Sequence, residues 1–122
     1  MIGSTRNVRV WAYTAACDLR KGYNGLYGLV KEKMQRDPLS GDMYLFVNAR
    51  RTSCKVLLFD GTGLCLYCKR LERQRFARLW REPVAGAITL TQSELALFLE
   101  GSQHVGYLDL SPPEVKPTPI RG

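Results

Sequence analysis

The runs MYLFVN (43–48), CKVLLFD (54–60) and LCLYCKRL (64–71) decide how this chain folds. Each is rich in β-branched, aromatic and other large apolar residues, and each has the length of one strand. Asp60-Gly61-Thr62-Gly63 separates the last two and reads as a short hairpin loop whose glycines supply positive φ. Residues 49–53 join the first two and put Arg50 and Arg51 at the tip of the connection. Three strands joined this way make an antiparallel meander.

Upstream, residues 8–13 alternate. Val8, Val10 and Ala12 point one way, and Arg9, Trp11 and Tyr13 the other, which predicts a strand with one buried face and room for a cover on the Trp11 side. A helix is predicted over 19–35, behind Asp18, on an apolar stripe of Tyr23, Leu26, Tyr27, Val30 and Met34. Gly22, Gly25 and Gly28 weaken its start, each by close to about 1 kcal/mol relative to Ala. They imply either a close backbone approach or a helix that begins after Asp18. Asp37-Pro38-Leu39-Ser40-Gly41 is a turn, since Pro38 pushes Asp37 out of the helical region.

Downstream of the meander the period changes. Drawn as a helix, 70–81 puts Glu72, Phe76, Leu79 and Trp80 on one side and Arg70, Arg73, Arg78 and Arg81 on the other, which predicts a basic amphipathic helix ended by Pro83. A short strand at 87–90 follows. Thr91-Gln92-Ser93-Glu94 is a capping box, with Leu90 and Leu95 as its hydrophobic staple, and the helix it opens runs to Glu100 and stops at Gly101. Four of the six prolines lie after Leu110, so residues 111–122 read as an extended, mobile tail behind a single domain of residues 1–110. The expected fold class is therefore α+β: an antiparallel sheet of four or five strands with two or three helices.

Charge is concentrated. Arg50, Arg51, Lys55, Lys69, Arg70, Arg73, Arg75, Arg78 and Arg81 stand against Asp60 and Glu72 in that one stretch, and nine cations against two acids equals the formal net charge of the whole 122-residue chain, +7. A cationic surface of that density points to a polyanionic partner, nucleic acid first. Guanidinium groups bind phosphate oxygens bidentately, and each neutralised phosphate releases counterions. The competing reading is a solvated face that only keeps the chain soluble; the density of the 69–78 run and the nearby Arg50-Arg51 pair weigh against it. The expected phosphate-binding residues are Arg50, Arg51, Lys55, Lys69, Arg70, Arg73, Arg75 and Arg78, with Arg9, Arg20 and Lys21 behind them. Phe76 and Trp80 are expected to anchor the basic segment to the core rather than to stack on bases.

Other chemistries are poorly provided for. Cys65-Leu66-Tyr67-Cys68 has zinc-knuckle spacing, but residues three apart on a strand face opposite ways, and His104 is the one histidine. Asp18, Asp37, Asp42 and Asp60 each lie where turn or cap chemistry accounts for them. No Gly-rich phosphate loop and no credible nucleophile–histidine pair is present. Neither a cofactor nor a metal is expected, nor is the chain expected to be an enzyme. No apolar run approaches a membrane span, and residues 1–9 lack the apolar core of a signal peptide. No membrane partner and cytoplasmic residence are expected, with Cys17, Cys54, Cys65 and Cys68 as reduced thiols.

One set of residues resembles a known family. Arg9-Val10-Trp11, Asp18-Leu19-Arg20-Lys21-Gly22 with Gly25-Leu26 and Leu29-Val30, Ser40-Gly41, Arg50-Arg51, Lys55, Asp60-Gly61 with Gly63, Lys69-Arg70-Leu71-Glu72-Arg73 with Phe76, and Leu90-Thr91 with Leu95 occur in this order. Over about residues 8–101 they are similar to the small accessory protein TnpB of the insertion-sequence-66 transposable elements, and the Lys-Arg-Leu-Glu-Arg string is the most specific part. This is not the RNA-guided nuclease that shares the TnpB label in other elements. The resemblance implies a bacterial protein needed for transposition, acting beside a separate DDE transposase and without an assigned activity. DNA at the element ends and the transposase of the same element are then the expected partners. In the family a Gly commonly follows the string; here Gln74 stands there, which disfavours a tight turn and favours the helix. Two alternatives remain: an adaptor docking its basic face on the transposase or a host factor, and a small metal-dependent nuclease.

Overall fold

In the computed structural model, which describes residues 8–80 and 86–102, the elements run β1 (Val10–Tyr13), α1 (Tyr23–Glu32), β2 (Met43–Val47), β3 (Ser53–Phe59), β4 (Leu64–Arg70), β5 (Ala87–Leu90) and α2 (Gln92–Leu99). Arg81, Pro83, His104 and the 111–122 tail lie outside the described residues. The strands form one sheet in the order β4-β3-β2-β1-β5. The meander is antiparallel as expected, with Leu57 opposite Tyr44 on one side and Leu66 on the other. β5 also runs antiparallel to β1, Val10 facing Leu90.

The expectation of a wholly antiparallel sheet is corrected at one pair. β1 and β2 are parallel, Trp11 lying beside Tyr44. The reason lies in the connection: a helix between two neighbouring strands carries the chain back to the end it started from, so the second strand repeats the direction of the first. The class remains α+β, on a mixed sheet.

Both faces of the sheet are covered, because strand side chains alternate. On one face Leu26 and Val30 of α1, with Met34 just beyond the helix, pack onto Trp11, Tyr44, Phe46 and Leu57. On the other, Leu95 and Phe98 of α2 meet Val10, Ala12, Leu45, Val47, Cys54 and Val56, joined there by Phe76, Ala77 and Leu79. Tyr44 and Phe46 thus face α1 while Leu45 and Val47 face α2, and all four are fully buried. No helix among the described residues is long and apolar enough to cross a membrane.

α1 is shorter than the 19–35 expected. It starts at Tyr23 with Gly22 at its N-cap and no side-chain cap. Asp18 instead accepts the Arg20 backbone N–H at 3.0 Å and closes a turn before the helix. The late start accounts for Gly22; a Cβ at Gly22 or Gly28 would meet nothing within 4 Å, whereas one at Gly25 would come within 2.9 Å of the Lys21 Cβ, so the close approach there is by a side chain and not by a backbone. α2 follows its sequence. The Thr91 hydroxyl accepts from the Glu94 N–H at 3.0 Å, the Glu94 carboxylate accepts from the Thr91 N–H at 2.8 Å, and Gly101 follows the helix at φ 87°.

The basic helix over 70–81 does not exist. After β4 the chain bends at 72–74 and runs on without helical structure to Trp80. Gln74 adopts φ 48°, a left-handed conformation that no α-helix contains. The tight turn that Gln74 was expected to disfavour is therefore present. Beyond it, buried Ala77 and Leu79 alternate with exposed Arg78, the period of an extended chain.

Candidate nucleic-acid interface

The extended segment 71–80 is a strap laid across the α2 side of the sheet, and its fastenings come from far along the chain. The Leu71 N–H donates to the Thr52 carbonyl at 2.8 Å and the Phe76 N–H to the Arg51 carbonyl at 2.7 Å. Arg51 Nη1 donates back to the Phe76 carbonyl at 3.1 Å. The Phe76 ring stacks on Phe98 of α2, centroids 4.9 Å apart and planes 11° apart. Gln74 Nε2 reaches the Glu100 carbonyl at 3.5 Å, and a Cβ at Gly101 would collide with that Gln74 side chain. Lys69, at the end of β4, donates its Nζ to the Leu99 carbonyl at 2.7 Å. That carbonyl is one of the acceptors α2 leaves open at its C-terminus, where a cation is favoured.

The β2–β3 loop beneath is held by its own residues. Asn48 Oδ1 accepts the N–H groups of Thr52 at 2.9 Å and Ser53 at 3.1 Å, which ties the turn shut and leaves Arg50 exposed. Arg51 sits at φ 62°, half-buried under the strap. On the opposite face the Cys17 N–H donates to the Val47 carbonyl at 2.9 Å, bringing the 18–21 turn to the same end of the sheet. There Lys55 Nζ donates to the Lys21 carbonyl at 3.0 Å, and Arg20 pairs with Asp18 at 2.8 Å.

These contacts sort the cations expected to hold phosphate. Arg50, Arg51, Lys55, Arg70, Arg73 and Arg75 gather at the β2–β3 end of the sheet, with Lys21 and Arg20 beside them. Arg50, Arg70, Arg73, Arg75 and Arg78 are exposed. Arg70 is within 3.4 Å of Glu72, but both side chains are more than 70% exposed, so the pair is weak and replaceable by another anion. Arg78 lies 5.8 Å over the Trp80 ring. Arg51, Lys55 and Lys69 have their charged groups on backbone carbonyls, which gives each a structural contact as well as a charge. Arg9 stands apart, at the β1 end: its N–H is held by Asp42, whose other oxygen accepts the Trp11 indole N–H at 3.1 Å.

Sequence reasoning missed the clasp between Arg51 and Phe76. It also missed the turn at Gln74.

Asp18, Asp37 and Asp60 are in turns as expected, whereas Asp42 bonds across to Arg9 and Trp11 at the β1 end. Asp60 Oδ1 accepts the Thr62 N–H at 2.9 Å, the Thr62 hydroxyl at 3.0 Å and the Gly63 N–H at 3.0 Å; these donors, the Thr62 N–H foremost, hold its carboxyl down at about 2. The hydrogen bonds of Arg20 hold Asp18 well below the usual carboxylate range. Asp37 accepts the Leu39 N–H at 2.9 Å. Burial pushes the thiols of Cys17 and Cys54 up to about 11 and about 12. Cys65 and Cys68, opposite Leu58 and Lys55 in the β3–β4 ladder, project from opposite faces of the edge strand. No three His, Cys, Asp or Glu side chains converge among the described residues.

Residues 8–106 match the family model described as IS66 Orf2 like protein, TnpB_IS66. Two proteins of Sinorhizobium fredii, both described as uncharacterized, are similar over 101 residues. One, y4hO, is 38% identical, covering 83% of this chain and 86% of the relative. The other, y4jC, is 33% identical, covering 83% and 85%. No solved structure matches the chain.

Proposed function

Because this chain belongs to the IS66 Orf2-like family, accessory proteins of insertion-sequence transposition, we propose that it binds DNA and catalyses no reaction on it. The observation that carries this reading is the gathering of arginines at one end of the sheet, on two segments bonded to each other. Arg50 comes from the β2–β3 loop and Arg70, Arg73 and Arg75 from β4 and the strap. Arginine forks suit phosphate oxygens, and the ion pair between Arg70 and Glu72 is exposed and weak enough to give way to a phosphate brought to it. Asp18, Asp37, Asp42 and Asp60 already accept N–H groups in turns and strand ends, which favours binding over carboxylate or metal chemistry. Element ends are the DNA this family membership suggests, and the transposase is the protein beside which it would act.

The test is a titration of duplex DNA, element terminal repeats against scrambled sequence, at about 150 mM salt, where non-specific attraction is already reduced. The expected result is a complex whose log K falls linearly with log salt. Replacing Arg70, Arg73 and Arg78 by Gln should flatten that slope by about three units at most and leave the fold intact, since none of the three side chains is buried. If bare duplex of either kind is not retained while transposase is, the arginines serve a protein partner instead.

A further inference from the structure

β4 is an edge of the sheet, with no strand beyond it among the described residues, and it is an unusually open one. It is seven residues long, LCLYCKR, whereas the opposite edge, β5, has four. Long exposed edges are templates for a further strand, and proteins guard them with lysines, prolines, bulges or covers. Here the Lys69 ammonium is turned inward onto Leu99, and Arg70 lies beside Glu72. Tyr67 is 52% exposed, and Cys65 and Cys68 are exposed with it. Along the α2 side of this edge runs an apolar groove of about 220 Å³, lined by Cys65 and Tyr67 of β4 together with Met43, Val56, Leu58, Leu95 and Leu99.

The ladder fixes which backbone groups the edge presents. Asp60 N–H donates to the Gly63 carbonyl at 3.0 Å and Leu71 N–H to the Thr52 carbonyl at 2.8 Å. With Ser53 opposite Arg70 and Leu58 opposite Cys65, the residues bonded to β3 are therefore Cys65, Tyr67 and Lys69. The N–H and C=O groups of Leu64, Leu66, Cys68 and Arg70 point outward.

We propose that this edge binds a second copy of the chain, β4 against β4 in antiparallel register about a two-fold axis at Tyr67. That register places Leu64 opposite Arg70 and Leu66 opposite Cys68 of the other copy, so every outward N–H and C=O finds its partner at once. Centring on Cys68 instead leaves the Leu64 groups unmatched. Charge selects the same direction. Antiparallel pairing sets Lys69 against Cys65 and Arg70 against Leu64, whereas parallel pairing would set each cation beside its own copy, which is destabilising. The two Tyr67 rings become a directly opposed, non-hydrogen-bonded pair, where side chains lie closest, and they close over the mouths of the two apolar grooves. A two-fold axis here makes the contact self-complementary and closed.

The experiment uses the full chain freed of nucleic acid at high salt. Sedimentation equilibrium is expected to give a dimer at concentrations on the order of 100 µM. Tyr67→Lys sets like charges opposite each other, and should raise the dimer dissociation constant at least about 100-fold while circular dichroism stays unchanged, the position being half exposed. In a Cys65→Ser, Cys68→Ser background, Tyr67→Cys should give a covalent dimer on mild oxidation; the chain keeping Cys65 alone should not, because Cys65 faces position 69 of the second copy. A monomer at that concentration, a dimer indifferent to Tyr67→Lys, or crosslinking through Cys65 alone that equals that of Tyr67→Cys would overturn the proposal.

Discussion

At Arg51 a positive φ of 62° coincides with a guanidinium bonded to the Phe76 carbonyl, while Arg50, one position earlier, is bare to solvent. Two identical residues in sequence thus differ in what their removal does. Arg51→Ala leaves a buried residue's carbonyl without its charged donor and should cost about 1–2 kcal/mol in urea unfolding, a charged hydrogen bond lost from a half-buried site. Arg50→Ala should stay within about 0.5 kcal/mol of the parent, as surface changes do. Asp60 carries a pH dependence. The Thr62 and Gly63 N–H groups hold its carboxyl at about 2 in the folded chain, against roughly 3.9 unfolded. The folded state then binds the proton less readily than the unfolded one. Its stabilisation is complete above the unfolded value and is lost as pH falls toward about 2. Melting temperatures across that window should fall more steeply for the parent than for Asp60→Asn, which lacks the titrating group.

The strap puts three residues, Phe76, Ala77 and Leu79, into the core on the α2 side. Phe76 is fully buried and stacked on Phe98, so Phe76→Ala should destabilise by about 3–5 kcal/mol, measured as a shift of the urea midpoint at constant slope. Which elements could be read beforehand follows from how local their causes are. The capping box at Thr91 and Glu94 spans four positions and is satisfied as written. The β3–β4 hairpin is equally local: Asp60 and Gly61 make the turn and the alternation of the strands does the rest. The parallel β1–β2 pair joins Val10 to Met43, and alternation in either segment carries no direction. The strap defeats pattern reading for another reason. Phe76 and Leu79 sit three apart, which suits a helix, and Ala77 and Leu79 sit two apart, which suits an extended chain. Arg51, twenty-five residues earlier, decides between them. At the candidate site the residue types were legible as a cluster, but which cations also serve the fold was not, because Lys69 and Lys55 find their carbonyls on α2 and on the 18–21 turn.

For the whole molecule, the mixed sheet sets Arg50, Arg73 and Arg75 at one end and its open β4 edge along one side, so a polyanion and a second copy would not compete for the same residues, Lys69 and Arg70 apart. Duplex binding should therefore survive Tyr67→Lys at protein concentrations above the dissociation constant, as a titration of that variant would read. The strap's 71–80 backbone holds no helix and no ladder of its own; its shape is lent by a loop, a ring and a helix end elsewhere. On the proposed function, grip and folding are one equilibrium. A synthetic peptide of residues 69–80 should behave as a floppy oligocation, clinging to any duplex with equal indifference. The intact chain, conversely, should melt at a higher temperature once a polyanion is seated, because whatever clasps those arginines also clasps the folded form.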